Sequence, residues 1–546
     1  MDSPPTTNSM SRGVQYGDNY HGSVSAQYVG GQHVHIASDG EACLCDPITT
    51  KNSFRSTATV FDVLKGYLVE DALYNSETRA TEHATICHPD THTRVLQAIH
   101  AWNNPKRHPI CWLSGPAGTG KSTICHTIAA ERQQAKRPTA TFFFSRKKGA
   151  REDITKLIPT LAYQIAQQIS STQSYMRSVL LEDRTLLSQA IEHQFRKLIA
   201  EPLINSQARD RCLIIIDGLD ECAGRDRLLA LIKTLGQTFT TLNSPVQILL
   251  ASRPEPDIAS AFRMYAANKT SLWLSLEDSR EDVRNYLRDH LHDVRQRHHL
   301  IMESEPVQWP SKQNLDELVR HSDGLMIYAA TVVRYLDDGE GSPQVKLRRV
   351  LRSHVGVDPL YEEIIRESEK DPNFKRVLGT LMYLRYPPPL TELALLLQLD
   401  VSDVRTALAR CHSILTIPDN SYECIRPHHA SLRDFLTDKE RSKDLFCAPA
   451  HFHALIAVDC LRTITDIVGS QREPSEYPWI AWYYHCSCLL SHANSEKHLH
   501  LYEKVKDQVA AINLDWLKRW MVEALVNAGK PYIISGLKLG KVSVLV

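Results

Sequence analysis

Gly115-Pro116-Ala117-Gly118-Thr119-Gly120-Lys121-Ser122, running on into Thr123 and the apolar-rich residues 124–130, decides the reading of this chain. It fits G-x-x-x-x-G-K-[ST], a loop that cradles phosphate. Gly118 and Gly120 allow the backbone to turn tightly and its amides to close around an anion. A helix starting at Lys121 would add its positive N-terminal end. Lys121 is expected to reach the β- and γ-phosphates of a nucleotide, and the Ser122 hydroxyl to ligate Mg²⁺. Ile110-Cys111-Trp112-Leu113 reads as a short buried strand before the loop. Strand, loop and helix are the context that the motif requires.

Working outward, Cys212-Leu213-Ile214-Ile215-Ile216-Asp217-Gly218-Leu219-Asp220-Glu221 is the next informative stretch. A continuous apolar run ending in carboxylates is what a buried parallel strand delivers at its C-terminal edge. Asp217 is the candidate partner of the Mg²⁺, directly or through water. Asp220 and Glu221 come one loop later, where one of them could orient or deprotonate an attacking water; the pair also fits the N-terminus of a helix before Leu228. The phosphate loop upstream favours the first reading. A third apolar run, Val246-Gln247-Ile248-Leu249-Leu250-Ala251, ends in Ser252-Arg253-Pro254. An arginine at that edge can sense a γ-phosphate or stabilise developing charge, or it can be an ordinary surface residue.

Ala140-Thr141-Phe142-Phe143-Phe144 adds another strand. Ile154, Leu157, Ile158, Leu161, Ala162 and Ile165 then recur at helix spacing. Pro159 within that run predicts a helix that starts late or kinks. Alternating strands and helices over residues 110–260 predict a parallel sheet wrapped by helices.

The rest of the chain is bounded by composition. Its 546 residues suggest several domains, and Lys+Arg and Asp+Glu are equal at 63 each. No net field therefore draws it to nucleic acid or to an anionic membrane. The 13 scattered cysteines fit a reducing compartment better than a disulfide framework. Neither a signal peptide nor an apolar run of about 18 residues is evident, so a soluble, cytoplasmic protein is expected. Residues 1–50 are poor in large aliphatics and read as a disordered tail. The alternation within Tyr20 to Ile36 also fits a short β-forming association motif. His485-Cys486-Ser487-Cys488 and Cys43-Leu44-Cys45 lack the paired spacing of structural zinc.

Beyond about residue 270 the texture turns helical. An apolar helix follows Ser322-Asp323-Gly324, and several more lead to two short β-like runs, Ser413 to Ile417 and Tyr422 to Arg426. Helices followed by a hairpin predict a winged helix. His428-His429 comes directly after it, where a histidine could contact a β-phosphate from a second domain or simply sit in a core or on a surface.

Taken in order, these pieces resemble the NACHT family of signal-transduction NTPases, in particular the NOD-like receptors of fungi. The resemblance rests on residues 115–122, Phe142-Phe143-Phe144-Ser145-Arg146, Leu157-Ile158-Pro159-Thr160-Leu161-Ala162, Asp217-Gly218-Leu219-Asp220-Glu221-Cys222, Ser252-Arg253-Pro254, Gly324-Leu325-Met326-Ile327-Tyr328-Ala329 and the run from Ile425 to Leu436, in which His428 and His429 stand side by side at the histidine position. It implies a nucleotide domain over 87–265 after a helical linker, 51–86. A small helical domain (266–345), a winged helix (346–440) and a C-terminal helical region (441–546) would follow. It implies ADP or ATP with Mg²⁺ as cofactors, and ADP held between domains in a closed form. It assigns Arg94 to the pocket lining, Ser252 and Arg253 to sensor positions, and His429 to reading the ADP phosphates. ATP-favoured self-association, slow resetting hydrolysis and a downstream effector protein are the expected consequences. An AAA+-like ATPase acting on nucleic acid, or a scaffold that holds nucleotide without hydrolysing it, are the alternatives.

Overall fold

The computed structural model describes three strands within residues 26–43, and then residues 58–76, 86–102, 108–145, 150–206, 211–241, 246–265, 271–276, 279–303, 305–306, 308–470, 476–492 and 505. The first strands are β1 (Ala26–Val29), β2 (Gln32–Ile36) and β3 (Ala42–Cys43), paired antiparallel in that order. They fall in the stretch expected to be a disordered tail, and β1 and β2 coincide with its alternating run. The remainder of that stretch lies outside the described residues.

The sheet that positions the site is built from β4 (Ile110–Ser114), β5 (Thr139–Phe143), β6 (Cys212–Asp217), β7 (Val246–Ser252) and β8 (Ser271–Ser275). The order is β5-β6-β7-β4-β8 and every neighbouring pair is parallel. β5, β6 and β7 are buried along their whole length, as their unbroken apolar runs require. Chain order reverses at β4, and a parallel sheet offers its binding crevice outside the C-terminal strand ends at such a reversal. Asp217 is the last residue of β6, and the loop at 115–122 and Arg253 directly follow β4 and β7.

β8 lies beyond residue 265, where the nucleotide domain was expected to end. It pairs with β4, Trp112 opposite Trp273, and carries the sheet past that boundary. Its sequence, Ser-Leu-Trp-Leu-Ser, alternates because an edge strand buries one face only, and so it does not read as a core strand. The helix with Pro159 runs Leu157–Gln168 after a 3₁₀ turn. Pro159 falls in its first turn, where the missing N–H costs no hydrogen bond. Two backbone amides of the preceding linker fasten onto this part of the sheet. Val69 N–H donates to Thr160 Oγ1 at 3.1 Å and Tyr74 N–H to Thr141 Oγ1 at 3.0 Å.

The helical part begins with Arg280–Arg297, Lys312–Ser322 and Met326–Leu336. Helices Pro343–Arg352, Val357–Ser368, Phe374–Tyr383, Leu390–Leu397 and Val401–Leu408 precede a two-residue antiparallel ribbon, β9 (Leu415–Thr416) with β10 (Arg426–Pro427). The second arm of the hairpin therefore lies later than the Tyr422 to Arg426 expected. One apolar core runs from Val283 through Tyr328, Leu378 and Phe435 to Leu489, and a separate cluster around Leu113, Ile128, Ile215 and Leu249 fills the sheet side.

The helices Pro449–Ser470 and Glu476–His492 close the described chain. His485, one of the residues weighed as a metal ligand, lies fully buried there. Its Nδ1 is 2.9 Å from His453 Nδ1 and its Nε2 is 2.9 Å from the Tyr477 hydroxyl. Among the described residues no single helix is long and apolar enough to cross a membrane.

Candidate functional site

The helix Lys121–Gln134 starts at Gly120, whose φ of +90° only glycine adopts without strain. Lys121 Nζ donates to the carbonyls of Gly115 and Pro116, each at 2.7 Å. Burial lowers the pKa of this lysine, while Asp217 and Asp220 oppose the shift.

Gly118 is the point where the helical part meets the loop. Its φ is +81°, and its carbonyl accepts the Ile327 N–H at 3.0 Å. A Cβ on Gly118 would lie 2.2 Å from Ile327 Cγ2. Gly118→Ala should therefore combine left-handed strain with overpacking and destabilise the protein by about 2–4 kcal/mol. Denaturant unfolding measures this, and Ile327→Ala in the same chain should recover part of the loss.

Asp217 is buried at the end of β6. Three residues on, Asp220 is also buried, and it is engaged. Its Oδ1 accepts the Arg253 N–H at 2.9 Å and its Oδ2 is 3.2 Å from Arg253 Nε. Asp220, one of the two acids of which either was expected to orient or deprotonate water, therefore holds Arg253. Glu221 lines the same cavity as Lys121. The other face of Arg253 is taken by the helix Ala430–Leu436, where Asp434 Oδ2 accepts from Nη2 at 2.9 Å. Burial works against the guanidinium charge, but Asp434 and Asp220 hold its pKa above the usual value. Arg253 is thus no ordinary surface residue.

His429 caps that helix. Its Nδ1 accepts the Ser431 N–H at 3.1 Å, so the neutral ring carries its proton on Nε2. The ring lies against the loop, with Cε1 3.7 Å from where a Gly118 Cβ would stand. His428 is held instead by the ribbon region, with Nε2 2.9 Å from the His412 carbonyl oxygen. Desolvation, then Arg253 and Lys121, push the His429 pKa down to about 4. Such a group binds fewer protons folded than unfolded, so its contribution is intact above about pH 6.5 and lost as pH falls towards 4. The unfolding free energy of the ligand-free protein should fall across that window with a shallower slope in His429→Leu, which paired denaturant titrations measure.

These residues enclose one cavity of about 830 Å³, within the range typical of small-molecule sites. Of the residues expected to bind or react, Ala117, Gly118, Gly120, Lys121, Ser122 and Thr123 line it, as do Asp217, Asp220, Glu221, Arg253 and His429. Others do not. Gly115 and Pro116 contribute the carbonyls that hold Lys121, and Thr119 is buried, its hydroxyl donating to the Pro116 carbonyl. Ser252 is fully buried, accepts the Trp112 indole N–H at 2.9 Å and does not line this cavity. Arg94 is exposed on the helix Thr93–Trp102 and lies off the lining. His92 takes its place. With φ of +53° and 3% exposure it turns inward, its Nε2 2.6 Å from the position of a Gly120 Cβ and its N–H on Asp282 at 2.7 Å.

The far end of the cavity was not anticipated. His88, Tyr286 and His290 form an aromatic cluster there, with ring centroids 4.2–5.7 Å apart. Ala330 and Arg334 of the Met326–Leu336 helix line the cavity as well, and Ile327 lines it against Gly118.

Ser122 and Asp217 are oxygen donors on one cavity. They fit Mg²⁺, which takes one or two protein oxygens and fills its octahedron with phosphate and water.

Residues 91–253 match the family described as nephrocystin 3, N-terminal, in line with the NACHT-type resemblance of the nucleotide domain. No curated protein sequence matches. Among solved structures, the chain is similar to the signal transduction ATPase with numerous domains (STAND) and a tetratricopeptide repeat sensor from Pyrococcus horikoshii. The two are 13% identical with a TM-score of 0.41, and the match covers 82% of this chain and 56% of that one. It is similar also to Cdc6p from Pyrobaculum aerophilum, at 12% identity and a TM-score of 0.30, covering 71% of this chain and 98% of that one. The Aeropyrum pernix Orc1 protein in complex with DNA matches at 12% identity and a TM-score of 0.27, covering 66% of this chain and 97% of that one.

Proposed function

We propose that this chain, whose residues 91–253 form a NACHT-like P-loop NTPase domain, is a nucleotide-operated switch that holds ADP in a closed form and favours self-association with ATP. One observation carries the reading. The same cavity is walled by the phosphate loop, by the acid-ended strand, by the helix after Gly324 and by His429 from beyond the ribbon. A ligand filling it touches segments far apart in sequence, so its differential affinity for two arrangements of them can shift the balance between the arrangements.

In this reading the loop amides and Lys121 hold the β-phosphate, and Ser122 and Asp217 hold Mg²⁺, which when bound neutralises phosphate charge. His429 presents a neutral imidazole, able to donate one hydrogen bond to a phosphate oxygen. Glu221 orients water for slow hydrolysis, while Asp220 fixes Arg253 near the terminal phosphate. An effector protein would then be engaged by the assembled copies. The test is to identify any nucleotide that co-purifies with the chain and then to measure its mass in solution with ADP and with a non-hydrolysable ATP analogue. Bound ADP with a monomer in ADP and a larger species in the analogue supports the reading; no bound nucleotide and one mass in both overturns it.

A further inference from the structure

The Met326–Leu336 helix turns Ile327, Ala330 and Arg334 towards the cavity. Spacings of three and four residues place them on one face. The helix is fastened at its start by the Ile327 N–H to the Gly118 carbonyl. Arg334 stands two turns further along, about 10 Å up the axis. Its side chain is largely enclosed, and its Nη1 is buried without a hydrogen-bond partner among the described residues. No carboxylate of the described residues pairs with it. The groups that face it are the Tyr286 and Tyr361 phenols and the His429 ring, none of them an anion at neutral pH.

The contrast with the other cations of the cavity is informative. Arg253 is held by Asp220 and Asp434, and Lys121 by two carbonyls. Burying a guanidinium with no counter-charge is costly, and natural proteins keep such groups where an anion completes them. A planar guanidinium with several N–H donors matches phosphate oxygens in a fork that a lysine cannot reproduce. The enclosure of the charge and the phosphate loop on the same cavity point to the same ligand.

We propose that Arg334 is a phosphate-binding residue of the nucleotide site, supplied from the helical side opposite the 115–122 loop. This rests on the reading of the cavity as a nucleotide site. It adds that the ligand's charge, as well as its shape, ties the 326–336 helix to the sheet. A ligand whose phosphates reach both Lys121 and Arg334 relieves the desolvation of each charge. An uncharged nucleoside does not.

The experiment is calorimetric titration of the full-length protein and of Arg334→Gln, Arg334→Lys and Arg334→Met with ADP and with adenosine, alongside Lys121→Ala. Arg334→Gln should weaken ADP by about 10–100-fold, the range for losing a charge-assisted contact, and leave adenosine affinity within about threefold. Arg334→Lys should restore part of the ADP affinity. Arg334→Met, which removes the unpaired charge while filling the space, should keep or raise the Tm of the ligand-free protein and reduce the gain in Tm on adding ADP. Unchanged ADP affinity in Arg334→Gln with binding abolished in Lys121→Ala would overturn the role of Arg334 and leave the nucleotide site standing. Equal losses for ADP and adenosine would overturn it too, because they mark a structural residue. Unchanged ADP affinity in Lys121→Ala would remove the nucleotide site itself.

Discussion

Lys121→Ala should abolish nucleotide binding. The lysine is a charged group held in a partly desolvated position by two backbone carbonyls 2.7 Å away, ready to exchange those weak acceptors for phosphate oxygens. Contacts between ionised partners in such a setting are roughly twice as strong as neutral ones. Truncating one partner of a buried charged pair costs about 2–5 kcal/mol, or roughly 30- to several-thousand-fold in affinity. The fold should survive, because the helix it begins is anchored by buried Ile124 and Ile128. Titration with ADP and ATP at matched Mg²⁺ is the measurement, and affinity retained within tenfold would sink the assignment of the loop.

The second large effect is expected at Asp434. It joins the helix Ala430–Leu436 to Arg253 and, through Arg253, to Asp220 on the nucleotide sheet. In the proposed switch Arg253 meets the terminal phosphate of ATP; the γ-phosphate and Asp434 then compete for one guanidinium, and an ATP that wins loosens the helix from the sheet. Asp434→Asn should mimic that release. The pair is about 30% exposed on each side, so solvent screening limits its worth to about 1–2 kcal/mol. That amounts to roughly a 5- to 30-fold shift between closed and open forms. Light scattering at equal nucleotide should show a larger associated fraction in the variant, and added salt should narrow the difference from the parent chain. An unchanged mass would dissociate this ion pair from the switch.

Much of the sheet and the loop could be read directly from residues. The 212–217 and 246–251 runs are apolar throughout because both faces of those strands are covered, and such continuity survives any uncertainty about partners. β8 could not be read, since a strand covered on one face alternates like a surface segment. Arg94 misled through proximity. The backbone turns at His92, with its positive φ, so residue 92 enters the cavity while residue 94 leaves on the outer side of a helix. Ser252 stands at the strand end where a sensor belongs, but the Trp112 indole, placed beside it by the β4–β7 register, claims its hydroxyl. Arg334 gave no signal because an arginine near the C-terminus of a helix ordinarily serves the dipole or the solvent. Its missing partner is visible only in three dimensions.

The separation of the two apolar clusters has a mechanical consequence. From Val283 to Leu489 the side chains belong to one buried cluster, so parting the helices that carry them would expose oil to water. The seam on the sheet side is fastened by the Gly118 carbonyl and the Arg253 clasp, both of which water can replace. Amide exchange followed over time should accordingly find the Ile327 amide, which bonds across that seam to the Gly118 carbonyl, trading its proton long before those of the buried strand residues Ile215 and Leu249.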